Sequence, residues 1–367
     1  MSTTSKVVGG ALGAVVLGVA ALAVALSHTS ACESAPSVAP AQPMRAAVHR
    51  CYGAAEVVRI ETLARPVPSD RGVLIRLHAA SVNPYDWHMM SGEPYVMRAS
   101  SGWGAPNDVS LGMDFAGTVE AVGRQVTRFK PGDEVFGSGR GAFAQYLRIP
   151  EDGALALKPS NLSFAQAAAV PIAGFTALQA LRDQAHLRPG QKALINGAGG
   201  GVGTFAVQIA KAMGAEVTAV TNGGSLALVR SIGADHVIDY NLLDFTLGPE
   251  KYDLILDLSG NHSLSDYRRV LAPEGVYVIA GNMSKGRWIG PLAALAKTLV
   301  VSKFVKHKMV FFLADLNPAD LPVLADMLQT GRVKPVIDRQ YPLEQIAQAI
   351  RYQETGHARG KVIVTLD

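Results

Sequence analysis

Cysteine is nearly absent from this chain of 367 residues, which has only Cys32 and Cys51. Two cysteines make neither a zinc knuckle nor a disulfide framework. The nine histidines are scattered and no H-E-x-x-H pair occurs, so no helical zinc site is written in the sequence. Charge is sparse, with Asp, Glu, Lys and Arg together at 17% and a formal net charge of +4. No run of Lys and Arg interleaves with aromatics, which argues against nucleic acid as a partner. The chain also lacks Tyr-x-x-x-Lys, the catalytic pair of short-chain dehydrogenases, and G-x-S-x-G, the nucleophile elbow of serine hydrolases. No repeat at solenoid spacing is present.

What the chain has in quantity is apolar residues, at 49%, over a length that suits two domains with their own cores. The twenty residues from Val7 to Leu26 carry no charge and follow Lys6. A run of that length spans a bilayer as a helix. It also suits a signal-peptide core, since Thr29-Ser30-Ala31 and Ala39-Pro40-Ala41 offer small-residue cleavage sites. Thr29-Ser30-Ala31-Cys32 resembles a lipoprotein cleavage box, and Ser34–Pro43 reads as a Pro/Ala linker. Residues 1–43 are therefore expected to form a membrane anchor or signal segment with its linker. The charge bias puts the soluble part outside the cytoplasm. A start at Met44, where the foldable pattern begins, would leave it cytoplasmic.

The most informative stretch runs from Lys192 to Thr221. Lys192–Asn196 reads as a strand, Gly197–Gly203 as a glycine turn, Thr204–Met213 as a helix and Glu216–Thr221 as a second strand. This is the first half of a dinucleotide-binding fold, with the variant spacing Ala198-x-Gly200-x-x-Gly203. Ala198, Gly199, Gly200, Gly201, Val202 and Gly203 are expected to cradle phosphates on the positive end of the helix. A fold that prefers NAD presents a carboxylate after the second strand for the ribose 2′-hydroxyl. Here that place holds Thr221-Asn222-Gly223-Gly224-Ser225. The missing carboxylate favours NADP over NAD, although the loop has no Lys or Arg of its own. Thr221, Asn222 and Ser225, with Arg230 and Tyr240 further on, are the available partners.

Before this stretch the chain reads as β-rich. Strands are predicted at Met44–Val48, Glu56–Glu61, Gly72–Ser81, Phe115–Val122, Glu134–Phe136 and Phe143–Ile149, with turns such as Lys130-Pro131-Gly132-Asp133. Four motifs stand in order: Ser81-Val82-Asn83-Pro84-Tyr85-Asp86-Trp87, then Leu111-Gly112-Met113-Asp114-Phe115-Ala116-Gly117-Thr118-Val119, then Pro171-Ile172-Ala173-Gly174-Phe175-Thr176-Ala177, and the glycine turn. Together they resemble the medium-chain dehydrogenase/reductase superfamily, in its zinc-independent quinone oxidoreductase branch, over Met44 to Asp367. The resemblance implies an α/β fold: a Rossmann doubly wound parallel sheet inserted in a GroES-like β-barrel catalytic domain. It implies a catalytic domain at 44–168, an NADP-binding domain at 169–314 and a return to the catalytic domain at 315–367. It also implies that Thr176 touches cofactor and that Tyr240 lies beside the adenine ribose phosphate.

Zinc-dependent relatives carry a cysteine in the segment matching Asn83–Asp86 and Gly-His-Glu where this chain has Gly112-Met113-Asp114. Three N, S or O ligands for catalytic zinc cannot be assembled, so no zinc is expected. Tyr252–Leu258 and Gly275–Ala280 read as strands whose tips, at Ser259 and at Gly281-Asn282, face the ribose and nicotinamide. Pro291–Val305 reads as a helix covering the cleft. His307–Leu313 is an apolar strand that, by resemblance, pairs with its copy in a homodimer; an internal buried strand is the alternative.

The function expected is NADPH-dependent hydride transfer to a quinone or an α,β-unsaturated carbonyl. Asn83 is the first candidate for contact with nicotinamide or substrate carbonyl. Tyr85 and Tyr95 are candidates for substrate contact, Tyr95 also as proton donor. Asp86 is expected to fix a turn, because a carboxylate would repel a developing enolate. Two alternatives stand beside this reading: an NAD(P)-dependent alcohol or aldehyde oxidoreductase, and a non-catalytic NADP-binding sensor or scaffold.

Overall fold

The computed structural model describes residues 21–34, 40–280, 286–288 and 307–366. The predicted helix at Pro291–Val305, the tip at Gly281 and Asn282, and most of the apolar run from Val7 lie outside those residues.

In the β-rich part, β1 (Pro43–His49) pairs antiparallel with β2 (Val58–Ala64). The central strand is β3 (Gly72–Val82), which pairs with β4 (Asp114–Val122) and β6 (Tyr146–Pro150); β5 (Glu134–Ser138) pairs in turn with β4, and β7 (Leu155–Leu157) with β5. Alternate residues of β3 and β4 point into one core, where Ile75, Leu77, Phe115 and Val119 join Val135 of β5 and are sealed from water. Each such side chain contributes roughly 1.5–3 kcal/mol by leaving water. Asn83 begins a helix over Pro84–Ser91 that the sequence reading treated as a turn. Proline at its first position presets the backbone angle, and Gly92, in the left-handed region, ends it.

The second unit is a six-stranded sheet in the order β10–β9–β8–β11–β12–β13, every pairing parallel. Its strands are β8 (Lys192–Asn196), β9 (Glu216–Thr221), β10 (His236–Asp239), β11 (Tyr252–Asp257), β12 (Leu271–Ile279) and β13 (Lys308–Phe311). The strand order reverses between β8 and β11, and ligands of such sheets bind at the carboxyl ends beside that reversal. The helix Gly201–Ala212 starts three residues earlier than the sequence pattern placed it and buries Phe205, Val207 and Ile209 against the sheet. The strand predicted at His307–Leu313 is β13, at the edge of the sheet among the described residues.

The chain then returns. β14 (Ile337–Pro342) and β15 (Lys361–Thr365) join the first unit, with β15 antiparallel to β3. The parallel sheet is thus an insertion in the β-rich unit. β15 brings Gly360 and Lys361 against the glycine turn: Gly360 N donates to Gly199 O at 3.0 Å.

Candidate active site

The glycine turn sits at the carboxyl end of β8. Its backbone folds back on β9, with the N–H groups of Gly197 and Ala198 both donating to Val220 O. Ala198 is fully buried, which puts it under the cradle. Gly200 is the N-cap of the helix Gly201–Ala212 and offers no side-chain cap. Thr204 N bonds back to Gly200 O, so the N–H groups of Gly201, Val202 and Gly203 come before the helical ladder and face out of its end. An uncapped helix end of this kind suits a pyrophosphate.

Two glycines are required sterically. A methyl at Gly203 would lie 2.2 Å from Gly197 O, and one at Gly199 would lie 2.6 Å from Thr221 Oγ1 and 2.9 Å from Ser225 Cβ. Thr221 and Ser225 are therefore packed beneath the turn, both buried. Asp257, fully buried at the end of β11, accepts from Ser259 N at 3.1 Å and Gly260 N at 2.9 Å, shaping that tip toward Gly197. The same carboxylate accepts from Asn196 Nδ2 and from the Tyr277 hydroxyl. Burial and this carboxylate hold the Tyr277 phenol far above its ordinary value. The Asn196–Asp257–Tyr277 network was not legible in the sequence, because its members meet only when β8, β11 and β12 align.

Other expected cofactor contacts spread around this centre. Asn222 begins the loop after β9, and Tyr240, exposed, has its N–H on Thr221 O. Arg230 stands exposed in the last turn of the helix Leu226–Ser231. The Thr176 hydroxyl donates within its own helix to Ile172 O at 2.7 Å. The loop that has no cation of its own receives one from the returning strand. A methyl at Gly224 would lie 2.5 Å from Arg359 Nη2, so this guanidinium rests over Asn222–Ser225. A methyl at Gly223 would lie 2.6 Å from Asp239 Oδ2, whose carboxylate partner Oδ1 is engaged by Asn241. Arg359 is 135 residues beyond Gly224 in the numbering, and only the pairing of β15 brings them together.

Across the cleft, Asn83 is buried at 2% exposure. Asp86 Oδ2 accepts Asn83 N at 2.7 Å, the return half of a capping box. Asp86 thus anchors the start of the helix, as the sequence suggested. The Asn83 amide turns the other way: Nδ2 donates to Asp114 Oδ2 at 3.0 Å, and Oδ1 accepts from Lys361 Nζ at 2.6 Å. Asp114 also accepts from Ser81 Oγ and from Ile172 N, tying the barrel to the helix Pro171–Gln179. Lys361 Nζ lies 3.7 Å from Asp114 Oδ2, both side chains buried. Burial pushes the Asp114 carboxyl up and the Lys361 ammonium down, each opposed by the other's charge. Burial also pushes Asp86 up to about 7.

Tyr85 is half-buried and borders a concavity with Met89, Asp108, Ser110, Met113 and Arg140. Burial raises its phenol pKa, so the hydroxyl keeps its proton. Tyr95 is buried in the loop after the helix, edge-on to Trp288 at 5.0 Å and with its N–H on Arg287 O. The segments matching the zinc ligands of relatives hold Asn83 and Met113-Asp114, of which Asn83 and Asp114 are engaged with each other and with Lys361. Among the described residues no three His, Cys, Asp or Glu stand together to hold a metal ion. These donors do not fit catalytic zinc.

Two family models match the chain: an alcohol dehydrogenase GroES-like domain over residues 69–159 and a zinc-binding dehydrogenase over 232–364. The chain is 34% identical to the 2-methylene-furan-3-one reductase of Solanum lycopersicum, over 93% of this chain and 84% of the other. It is 33% identical to the chloroplastic NADPH-dependent alkenal/one oxidoreductase of Arabidopsis thaliana, over 88% and 79%. The solved quinone oxidoreductase of Coxiella burnetii superposes with a TM-score of 0.77 at 29% identity, covering 89% of this chain and all of that one. The chain belongs to the medium-chain dehydrogenase/reductase superfamily.

Proposed function

We propose that the protein is an NADPH-dependent, zinc-independent reductase of quinones or α,β-unsaturated carbonyl compounds. The observation that carries this reading is an uncapped helix N-terminus at the glycine turn beside a buried Asn83–Asp114–Lys361 network, with no metal donor set among the described residues. The activities for which its relatives are named support it. When bound, the nicotinamide supplies a hydride to an electron-poor carbon.

The chain's own residues would do the rest. The N–H groups of Gly201, Val202 and Gly203 hold the pyrophosphate, and the Asp257-ordered tip at Ser259 meets the ribose. Arg359 supplies the cation for a 2′-phosphate, which favours NADP over NAD. Asn83 Oδ1 has one lone pair beyond its bond to Lys361 and serves as acceptor at the cleft. Tyr85, protonated and bordering the concavity, donates to the carbonyl oxygen where charge grows. Tyr95, buried edge-on to Trp288, is the other candidate for substrate contact and proton donor. The edge strand β13 is the surface through which a homodimer would form. The uncharged run from Val7 to Leu26 would attach the protein to a membrane, with the reductase outside the cytoplasm. Among the described residues no helix is long and apolar enough to span one.

The test is steady-state oxidation of NADPH and NADH, side by side, with quinones, enones and aldehydes, before and after chelator treatment. Faster turnover with NADPH on quinones or enones, unaffected by chelator, is the expected result. Tight NADPH binding without oxidation on any acceptor would reject the reductase reading.

A further inference from the structure

The segment before the first strand is built into the loop that carries Tyr95. Arg98, at 2% exposure, forms no ion pair among the described residues; its guanidinium is satisfied by carbonyls, a hydroxyl and aromatic faces. Nε donates to Gly92 O at 2.9 Å and Nη2 to Ser91 O at 3.1 Å, which shapes the loop itself. Nη1 points to the other segment, donating to His28 O at 2.8 Å, Leu26 O at 3.2 Å and Thr29 Oγ1 at 3.2 Å. The guanidinium carbon lies 4.3 Å from the Tyr52 ring centre and 4.7 Å from that of Tyr95. A buried cation stripped of acceptors is costly, so the loop as built needs Leu26–Thr29 in place.

Two further links hold the same segment. Ser30 N donates to Gly104 O at 2.8 Å, with a parallel bridge between Thr29 and Gly104. Gly104 has a positive φ, and a methyl there would lie 2.7 Å from Ser30 Oγ. Cys32 and Cys51 then form a disulfide, their Cα atoms 4.7 Å apart. Two cysteines, too few for a framework, thus make one bridge, and the Cys32 sulfur that the lipoprotein-like box would offer is engaged in it.

We propose that Leu26–Cys32 is a permanent wall of the substrate loop Gly92–Gly104 and not a removable leader, with Arg98 as the positioning residue that joins the two. That the loop borders substrate rests on the reductase reading above. The bridge locks the wall once: two thiols lose two electrons and two protons to a disulfide donor of the compartment, which leaves as a dithiol. The chain would therefore mature where such donors act.

The test uses the full-length chain and compares wild type with Cys32→Ser, Arg98→Gln and Arg98→Lys. Hydrogen exchange of the 92–104 amides is expected to quicken about tenfold or more in Cys32→Ser and Arg98→Gln, with the helix Gly201–Ala212 unchanged. The same change is expected in wild type treated with a thiol reductant. KM for the quinone or enone should rise about fivefold while kcat and the KM for NADPH hold, with Arg98→Lys part-way back. Unchanged exchange in 92–104 would overturn the proposal, as would faster exchange spread over the whole molecule. Unchanged KM with quickened exchange would remove the positioning role. Quickened exchange in a protein that oxidises no NADPH would sustain the wall and reject the reductase reading.

Discussion

Lys361 Nζ donates to Asn83 Oδ1 at 2.6 Å, joining residues 278 positions apart. The ammonium is buried beside Asp114, and its stem crosses the start of the helix Gly201–Ala212, where a methyl at Gly201 would lie 2.9 Å from Lys361 Cδ. One side chain thus links the phosphate cradle to the amide across the cleft. Lys361→Met should leave the Asp114 charge buried and uncompensated, at a cost of about 3–5 kcal/mol in urea unfolding. Adding Asp114→Asn should recover much of that loss. A single variant as stable as wild type would show that the pair is already neutral.

The cofactor preference is expected to follow Arg359. Arg359→Gln should raise the KM for NADPH about ten- to a hundredfold, the worth of hydrogen bonds to a charged group, and leave that for NADH alone. Equal effects on the two coenzymes would assign the guanidinium a structural role.

Two glycines of the cradle should separate folding from binding. Gly203→Ala places a methyl 2.2 Å from Gly197 O and should lose about 1–3 kcal/mol of stability without cofactor present. At Gly200 the nearest atom to such a methyl is 3.5 Å away, so Gly200→Ala should melt like wild type. It should still weaken NADPH binding in a fluorescence titration, because the methyl occupies the approach to the pyrophosphate.

Acid should unfold the protein partly through His49. Its ring is fully buried, neither nitrogen is within normal hydrogen-bond geometry of a partner among the described residues, and burial, opposed by the Asp108 charge, lowers its pKa to about 4 from 6.5. Between those values the unfolded chain binds the extra proton, so stability falls as pH drops through 6.5 and the loss is complete near 4. The loss should approach about 3 kcal/mol. Melting at pH 7.5 and 4.5 should show a smaller acid shift for His49→Leu than for wild type. Identical shifts would place the acid sensitivity elsewhere.

Local signals were enough for the parallel sheet. Each strand and helix from Lys192 to Thr221 is coded by adjacent residues, and glycine at 203 is required wherever a helix packs that closely on its turn. The helix after Asn83 was written in Pro84 and Asp86 but hidden by its shortness. Arg359 over Gly224, Lys361 on Asn83, Asp257 with Tyr277, and Cys32 on Cys51 had no local signal at all.

By itself, then, the sequence determined the strand, glycine turn and helix from Lys192 to Ala212 and the lack of a carboxylate in Thr221–Ser225, because those depend on residue types at short spacing. Only the tertiary structure decided which cation reaches that loop, what holds the Asn83 amide and where the N-terminal segment rests. Each of these is a contact between distant residues, made by the return of β14 and β15 to the first unit and by the burial of Arg98. Burial then gives those contacts their weight, since a charge out of water must find partners wherever the fold supplies them.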